Sequence, residues 1–349
     1  MNYLLLQLPA EFEEIVAKIR KQDWILSNFP ATDEELYNPA QYVYNTELHG
    51  YKYIIVLDRN IFRFIISASK KENPNEKHRA AIALIYFCQA SNIDFEPNLA
   101  VYEKLLPYRC NTRSAINDLI QFYKTDSAPS ESLLKYALSE SNVIDIFNET
   151  QWDTDKLHDD MTKYQFLNEW RSLYLIVLKI ALFDHKYKKK VDKITYFMAW
   201  LVKYFRLSLP CIVFATILFS SKRIRNMNKL KKKSSNREKL KQLYNMTWDI
   251  FLVNQYFRLL TKEDNDNQFL VATDDKIVKL VLRYALSAQN AGGLSHLKSY
   301  LINSEHCLID IIEQAIDNTK DRIYNTEYWT DSYRDELIEL AENEVFSLN

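Results

Sequence analysis

The chain has 349 residues, enough for one large domain or two ordinary ones, and its 47% hydrophobic content supplies a substantial core and excludes wholesale disorder. The net charge of −1 selects no partner by itself. Gly50, Gly292 and Gly293 are the three glycines, so there is no GxGxxG and no Walker A sequence, and folds that need a glycine-rich phosphate loop are disfavoured.

In chain order, "MNYLLLQLP" lacks the positive start and apolar length of a signal peptide. A helix is expected over "AEFEEIVAKIRKQDWIL" (10–26), then a polar, proline-containing connection to about residue 50. Tyr53–Leu57 is a short, continuous β-branched run, as expected of a strand covered on both faces. Helical patterns follow in "IFRFIISASKK" and "HRAAIALIYFCQAS", with the turn signal "NPNEK" between them. "NIDFEP" reads as a second short strand ended by Pro97, and "NLAVYEKLL" as a helix. This rhythm predicts a parallel α/β unit over 53–106.

From 110 to 240 the pattern is helical, with a long amphipathic helix over "DMTKYQFLNEWRSLYLIVLKIALF" and buried helices over "KITYFMAWLVKYF" and the Pro210 segment. The apolar run within 207–223 is shorter than the roughly 20 residues a membrane span needs. A basic segment occupies 222–241, and "DHKYKKKVDK" (184–193) is a second, weaker one. The helix "EKLKQLYNMTWDIFLVNQYFRLL" leads to a third strand, Phe269–Ala272, and helices run from Ile277 onward. Cys88, Cys110, Cys211 and Cys307 are far apart, which suits reduced, mostly core thiols and a cytoplasmic location. The six histidines are scattered and give no zinc spacing; neither a GxSxG elbow nor a Cys–His nucleophile pair can be argued. "DTDKLHDD" (153–160) reads as a solvated helix start.

Five acidic residues stand out. Asp58 closes one strand, and Asp274 and Asp275 follow another, where ligands bind in open parallel sheets. The structural alternatives are a turn at Asp58 with Asn60, and a helix start at "TDDK" with Thr273 as N-cap. Glu103 lies four residues after Leu99, on the apolar stripe of its helix, and Asp249 sits similarly beside Leu252, Tyr256 and Leu259. A carboxylate facing a core must be paired with Arg or Lys, protonated, or bound to a metal. Converging at one sheet edge, Asp58, Glu103, Asp249, Asp274 and Asp275 would suit Mg²⁺ or Mn²⁺.

These residues resemble the PIN domain nuclease family. "VLDRNIF" matches its strand ending in an aspartate with a small polar residue two positions on, here Asp58 and Asn60; "FEPNLAVYEKL" supplies the helical glutamate, Glu103. "TWDIFLVNQYF" and "FLVATDDKIVKL" supply Asp249 and the Thr273–Asp275–Lys276 set, with Asp275 in better register than Asp274. The match covers about a third of the chain, 53–106 and 240–290, and the gap between Glu103 and Asp249 is far longer than in a compact member. The resemblance implies a predominantly helical α/β fold: a small parallel sheet flanked by helices, with an all-α insertion. The expected layout is an N-terminal helical flank (1–50), the first part of the PIN-like domain (51–109), a helical insertion (110–238), and the second part with C-terminal helices (239–349).

It further implies an Mg²⁺- or Mn²⁺-dependent nuclease, most often an endoribonuclease acting on single-stranded RNA. Asp58, Glu103, Asp249 and Asp275 would be catalytic metal ligands, with Asp274 as a substitute, and Asn60, Thr273 and Lys276 would hold substrate. The basic segment would then track phosphates, or else be a solvated connection. No membrane partner is expected; a protein partner or homo-oligomer remains open. The alternative is a non-catalytic helical interaction or nucleic-acid-binding protein with an inactive PIN-like fold.

Overall fold

Asp23 ends the first helix earlier than its apolar stripe would. A computed structural model describes residues 7–29, 31–70, 73–105, 112–146, 152–162, 167–205, 207–261, 266–319 and 329–348. In it, α1 (Phe12–Gln22) buries Phe12, Ile15 and Ile19, and Asp23 then takes a left-handed conformation (φ 51°) that stops the helix. Trp24, Ile25 and Leu26 are buried as an extended segment, and Ile25–Ser27 forms β1. The helix expected through Leu26 is thus corrected to a helix and a strand.

The sheet has four strands: β1, β2 (Lys52–Leu57), β3 (Ile93–Glu96) and β4 (Asn267–Ala272), in the order β1-β4-β2-β3. β2 runs parallel to both β3 and β4, whereas β1 is antiparallel to β4. The expectation of a parallel sheet is therefore corrected to a mixed one, because the short turn from α1 delivers β1 to the free edge of β4 in the opposite sense. Ile55, Val56 and Leu57 are fully buried, as a central strand covered on both faces requires. Each contributes roughly 1.5–3 kcal/mol of burial.

The chain divides into two compact units, 1–164 with 256–275, and 165–255 with 276–349. The first holds the sheet. Its helices are α1, α2 (Asp33–Leu36), α3 (Pro39–His49), α4 (Arg59–Ala68), α5 (Glu76–Ala90), α6 (Asn98–Leu105), α7 (Thr112–Asp126), α8 (Ser130–Ala137) and α9 (Thr154–Thr162). Instead of a plain connection before β2, residues 33–49 form α2 and α3. The capping box of Thr32 with Glu35 starts one, and the Asn38 cap with Pro39 starts the other. α7 belongs with the sheet rather than with a separate insertion: Phe122 packs on Phe62 of α4 and Phe95 of β3.

The second unit is helical, with α10 (Leu167–Lys186), α11 (Lys190–Tyr204), α12 (Leu209–Phe219), α13 (Asn236–Leu260, its last turn assigned to the first unit), α14 (Lys276–Asn290), α15 (Cys307–Asp317) and α16 (Asp331–Phe346). α12 is buried all round and packs against α10, α11 and α14. This settles the Pro210 segment as a core helix, and no described helix is long and apolar enough to cross a membrane. Of the helix expected over 160–183, the described residues show α9 up to Thr162 and α10 from Leu167, and 163–166 lie outside the described residues. Together the units are mostly helical with one small sheet, a predominantly helical α/β chain.

Candidate active site

The register of β2 and β4 places Leu57 opposite Ala272, so the next residues of both strands, Asp58 and Thr273, emerge side by side. The backbone continues the pairing for one more step, with the Asp58 N–H donating to the Ala272 carbonyl at 2.9 Å. On the other flank of β4, the Thr273 N–H donates to the Trp24 carbonyl at 3.0 Å. The edge is thus fixed by main-chain bonds on both sides.

Asp58 occupies the N-cap of α4, where a short polar side chain ordinarily accepts from the first-turn N–H groups. Its carboxylate makes no capping bond of standard geometry. It turns instead to Thr273, whose hydroxyl donates to Oδ2 at 2.7 Å, while the Asn60 amide reaches the same oxygen at a long 3.5 Å. The side chain is buried. Burial pushes its carboxyl above the usual range and the neighbouring Asp275 charge adds to this, opposed by the Thr273, Arg59 N–H and Asn60 donors. Thr273 is wholly inaccessible and uses its hydroxyl twice, also accepting from the Asp275 N–H at 3.0 Å. The N-cap expected at Thr273 is corrected: α14 starts at Lys276, so both aspartates precede the helix and the Thr273 hydroxyl closes a turn ahead of it. The turn and the contact to Asp58 share one side chain.

The two aspartates of the pair diverge. Asp275 lies close enough to Asp58 to raise its pKa. Asp274 accepts from the Trp24 indole at 3.0 Å and pairs with Lys77, whose ammonium also lies over the Phe64 ring. Glu103, on α6, is held by Arg59 at 3.2 Å, with both side chains partly exposed. Its position on the apolar stripe is thus satisfied by a cation immediately following Asp58 in sequence. Asp249 and Lys276 belong to the second unit, where Lys229 pairs with Asp249. "DTDKLHDD" is an exposed helix start, with Asp153 accepting from the Lys156 N–H at 2.9 Å.

Three residues at this edge were not singled out by the sequence. Trp24 braces β4 and engages Asp274, Lys77 neutralises Asp274, and Arg59 holds Glu103. Arg59 lay within the quoted "VLDRNIF", and a cation next to a buried acid was the signal available there. Lys77 and Trp24 offered none, since both act across long sequence separations.

Among the described residues, no group of three or more His, Cys, Asp or Glu is arranged to hold a metal ion.

No family model, curated protein or solved structure matches the chain.

The chemistry of the site therefore rests on its own donors. Asp58 and Asp275 are two neighbouring carboxylates at a strand edge, with oxygen ligands only. Mg²⁺ demands no all-protein cage; it is held through one or two carboxylates, with water and substrate phosphate completing its shell. The pair fits that mode, and the repulsion between its members is what a cation would relieve. Sulfur or imidazole ligands that would favour zinc are not part of the set.

Proposed function

We propose that the chain is a divalent-metal-dependent phosphodiester hydrolase of PIN-like type, acting on single-stranded nucleic acid, RNA foremost. One observation carries this reading: a buried carboxylate, Asp58, forgoes helix capping and is aimed by Thr273 beside a second carboxylate, Asp275. Setting a second carboxylate beside a buried one is unfavourable, and such arrangements cluster at functional sites. Buried free thiols at Cys88 and Cys211 support a reducing, cytoplasmic setting.

In this reading Asp58 and Asp275 hold Mg²⁺ or Mn²⁺. When bound, the ion supplies Lewis-acid stabilisation of phosphodiester oxygens and makes water more acidic. Thr273 fixes the rotamer of Asp58 through its donated hydrogen bond and the backbone at Asp275 through its accepted one. Asn60 presents an amide N–H at the same oxygen. Arg59 and Glu103 form the outer rim: the ion pair keeps the guanidinium from competing for Asp58. Asp274 serves the fold through Trp24 and Lys77, and the proposal is made without Asp249 and Lys276.

A second reading, a non-catalytic nucleic-acid-binding or interaction protein, is favoured by the ion pairs that already satisfy Glu103 and Asp249. Incubation of labelled single-stranded RNA with Mn²⁺ separates the two. The hydrolase reading expects cleavage that chelator abolishes and that Asp58→Asn and Asp275→Asn each reduce at least a hundredfold. Equal cleavage by the variants, or binding without any cleavage, removes it.

A further inference from the structure

Two basic stretches distant in sequence, 184–193 and 222–241, meet within the second unit. The joint is the Asp184 carboxylate, whose side chain is 4% exposed. It accepts from Lys193 at 2.6 Å and from the Asn228 amide at 2.8 Å, and pairs with Arg223 at 3.4 Å. A second joint is Glu305, also buried, which pairs with Lys190 and accepts from the Ser221 N–H at 3.0 Å. His185 Nε2 adds a contact of 3.2 Å to the Leu230 carbonyl.

The second stretch is anchored along its length. Met227 and Leu230 are buried, Asn226 makes a left-handed turn (φ 65°), and the Lys231 N–H donates to Gln242 at 2.8 Å. A connection held this way presents its cations in a fixed arrangement, so less ordering entropy opposes binding.

The buried acids are consumed in making the joints. Lys188, Lys189, Arg225 and Lys231–Lys233 are exposed and form no ion pair among the described residues. Lys188, Lys189 and Lys190 line an open cleft of about 440 Å³ whose other wall includes Ser304 and Cys307. Tyrosine faces accompany the cations. Tyr187 stacks on Tyr196 at 4.4 Å, Tyr196 is half exposed, and Lys186 lies over Tyr187. Tyr300 lies beneath Lys222 and donates to its carbonyl at 2.6 Å.

We infer that the second unit carries a binding surface for the phosphate backbone of single-stranded nucleic acid, centred on the Lys188–Lys190 cleft and continued by Arg225 and Lys231–Lys233. Lysines meet phosphates, and exposed tyrosine faces meet unstacked bases without demanding a sequence. A membrane-surface element would instead pair its cations with a broad apolar face. The ligand class rests on the proposed function; the surface itself rests on the second unit's own charges and rings.

The test measures binding without cleavage. The full chain carrying Asp58→Asn is titrated in chelator against fluorescent oligouridylate, by anisotropy, between 50 and 200 mM salt. The expected result is steeply salt-dependent binding that Lys188→Glu with Lys189→Glu weakens at least tenfold. Loss of two phosphate contacts should make the slope of log K against log salt shallower by about 1.4, at roughly 0.7 per contact. A triple Lys231→Glu, Lys232→Glu, Lys233→Glu variant should behave likewise, with circular dichroism confirming that both variants fold. Tyr196→Ala should weaken binding without altering the slope. Unchanged affinity in both charge-reversal variants overturns the inference, as does tighter binding to phosphatidylserine vesicles than to the oligonucleotide. Failure of the cleavage assay, with this binding intact, would remove the hydrolase reading and leave the surface standing.

Discussion

Thr273 donates its hydroxyl to Asp58 Oδ2 at 2.7 Å, across the adjoining ends of β4 and β2. The hydroxyl also accepts from the Asp275 N–H, so one side chain ties both candidate metal ligands to the sheet. Thr273→Val keeps the shape but removes both bonds, leaving a buried carboxylate oxygen one donor short. The expected loss is about 1–3 kcal/mol of unfolding free energy by denaturant titration, with a larger proportional loss of cleavage. Thr273→Ser, which keeps the hydroxyl, should recover most of each. Equal effects of Val and Ser would show that the methyl packing, not the hydroxyl, matters.

Asp58 gives a prediction with a sign. Its folded carboxyl is raised, chiefly by burial, so the folded state holds its proton to higher pH than the unfolded chain does. The stability it lends is complete below the ordinary carboxyl range and is lost as pH rises through the folded value. Asp58→Asn should therefore melt at a higher temperature than the parent at pH 8 in chelator, and the difference should vanish in acid. Mn²⁺ should raise the parent's melting temperature more than the variant's, because the parent binds it more tightly.

Asp126 makes a similar case away from the site. It ends α7, and burial, with the Asp94 charge adding, pushes its carboxyl up to about 6. A charge at that helix terminus also opposes the dipole. Asp126→Asn should stabilise the fold at pH 8 by about 2–3 kcal/mol, from roughly two pKa units at about 1.4 kcal/mol each. The gain should fade as pH falls from about 6 to below 4. Denaturant midpoints measured across that range check it; a gain that persists in acid would assign it to helix propensity.

The Arg59–Glu103 pair is partly exposed, so Glu103→Gln should change stability by no more than about 1 kcal/mol. Its effect on cleavage should be larger, about 10- to 100-fold, as for a residue supporting a ligand from the outer rim. Arg59→Gln combined with Glu103→Gln should cost less than the sum of the single changes. Strict additivity would mean that the two side chains act independently.

The sequence and the fold agree where the signal was local. β2, β3 and β4 were legible as short apolar runs closed by Asp58, Pro97 and Thr273, and parallel pairing of β2 with β4 accounts for two acidic strand ends at one edge. β1 was hidden because Leu26 falls seven residues after Ile19 and so continues the stripe of α1. The left-handed turn at Asp23, uncommon for a residue with a side chain, is what breaks it. The capping box "TDEE" at Thr32–Glu35 was readable, but the short polar helix it starts buries no side chain and gave no periodic signal.

At the site, the family resemblance favoured Asp275 over Asp274, but the residues alone did not show what holds Asp274 away. Trp24 and Lys77 do that, from 250 and 197 residues away in sequence. The cations that engage Glu103 and Asp249 were likewise invisible, since ion-pair partners follow from tertiary placement. The sequence could say only that such partners, a proton or a metal were required.

The central claim, that the joined ends of β2 and β4 form a divalent-metal site, is tested most directly by calorimetric titration of Mn²⁺ into the parent, Asp58→Asn and Asp275→Asn proteins at pH 7. Saturable binding to the parent and at least tenfold weaker binding to each variant is the predicted result. Identical isotherms for all three proteins, or no binding to the parent, would contradict it.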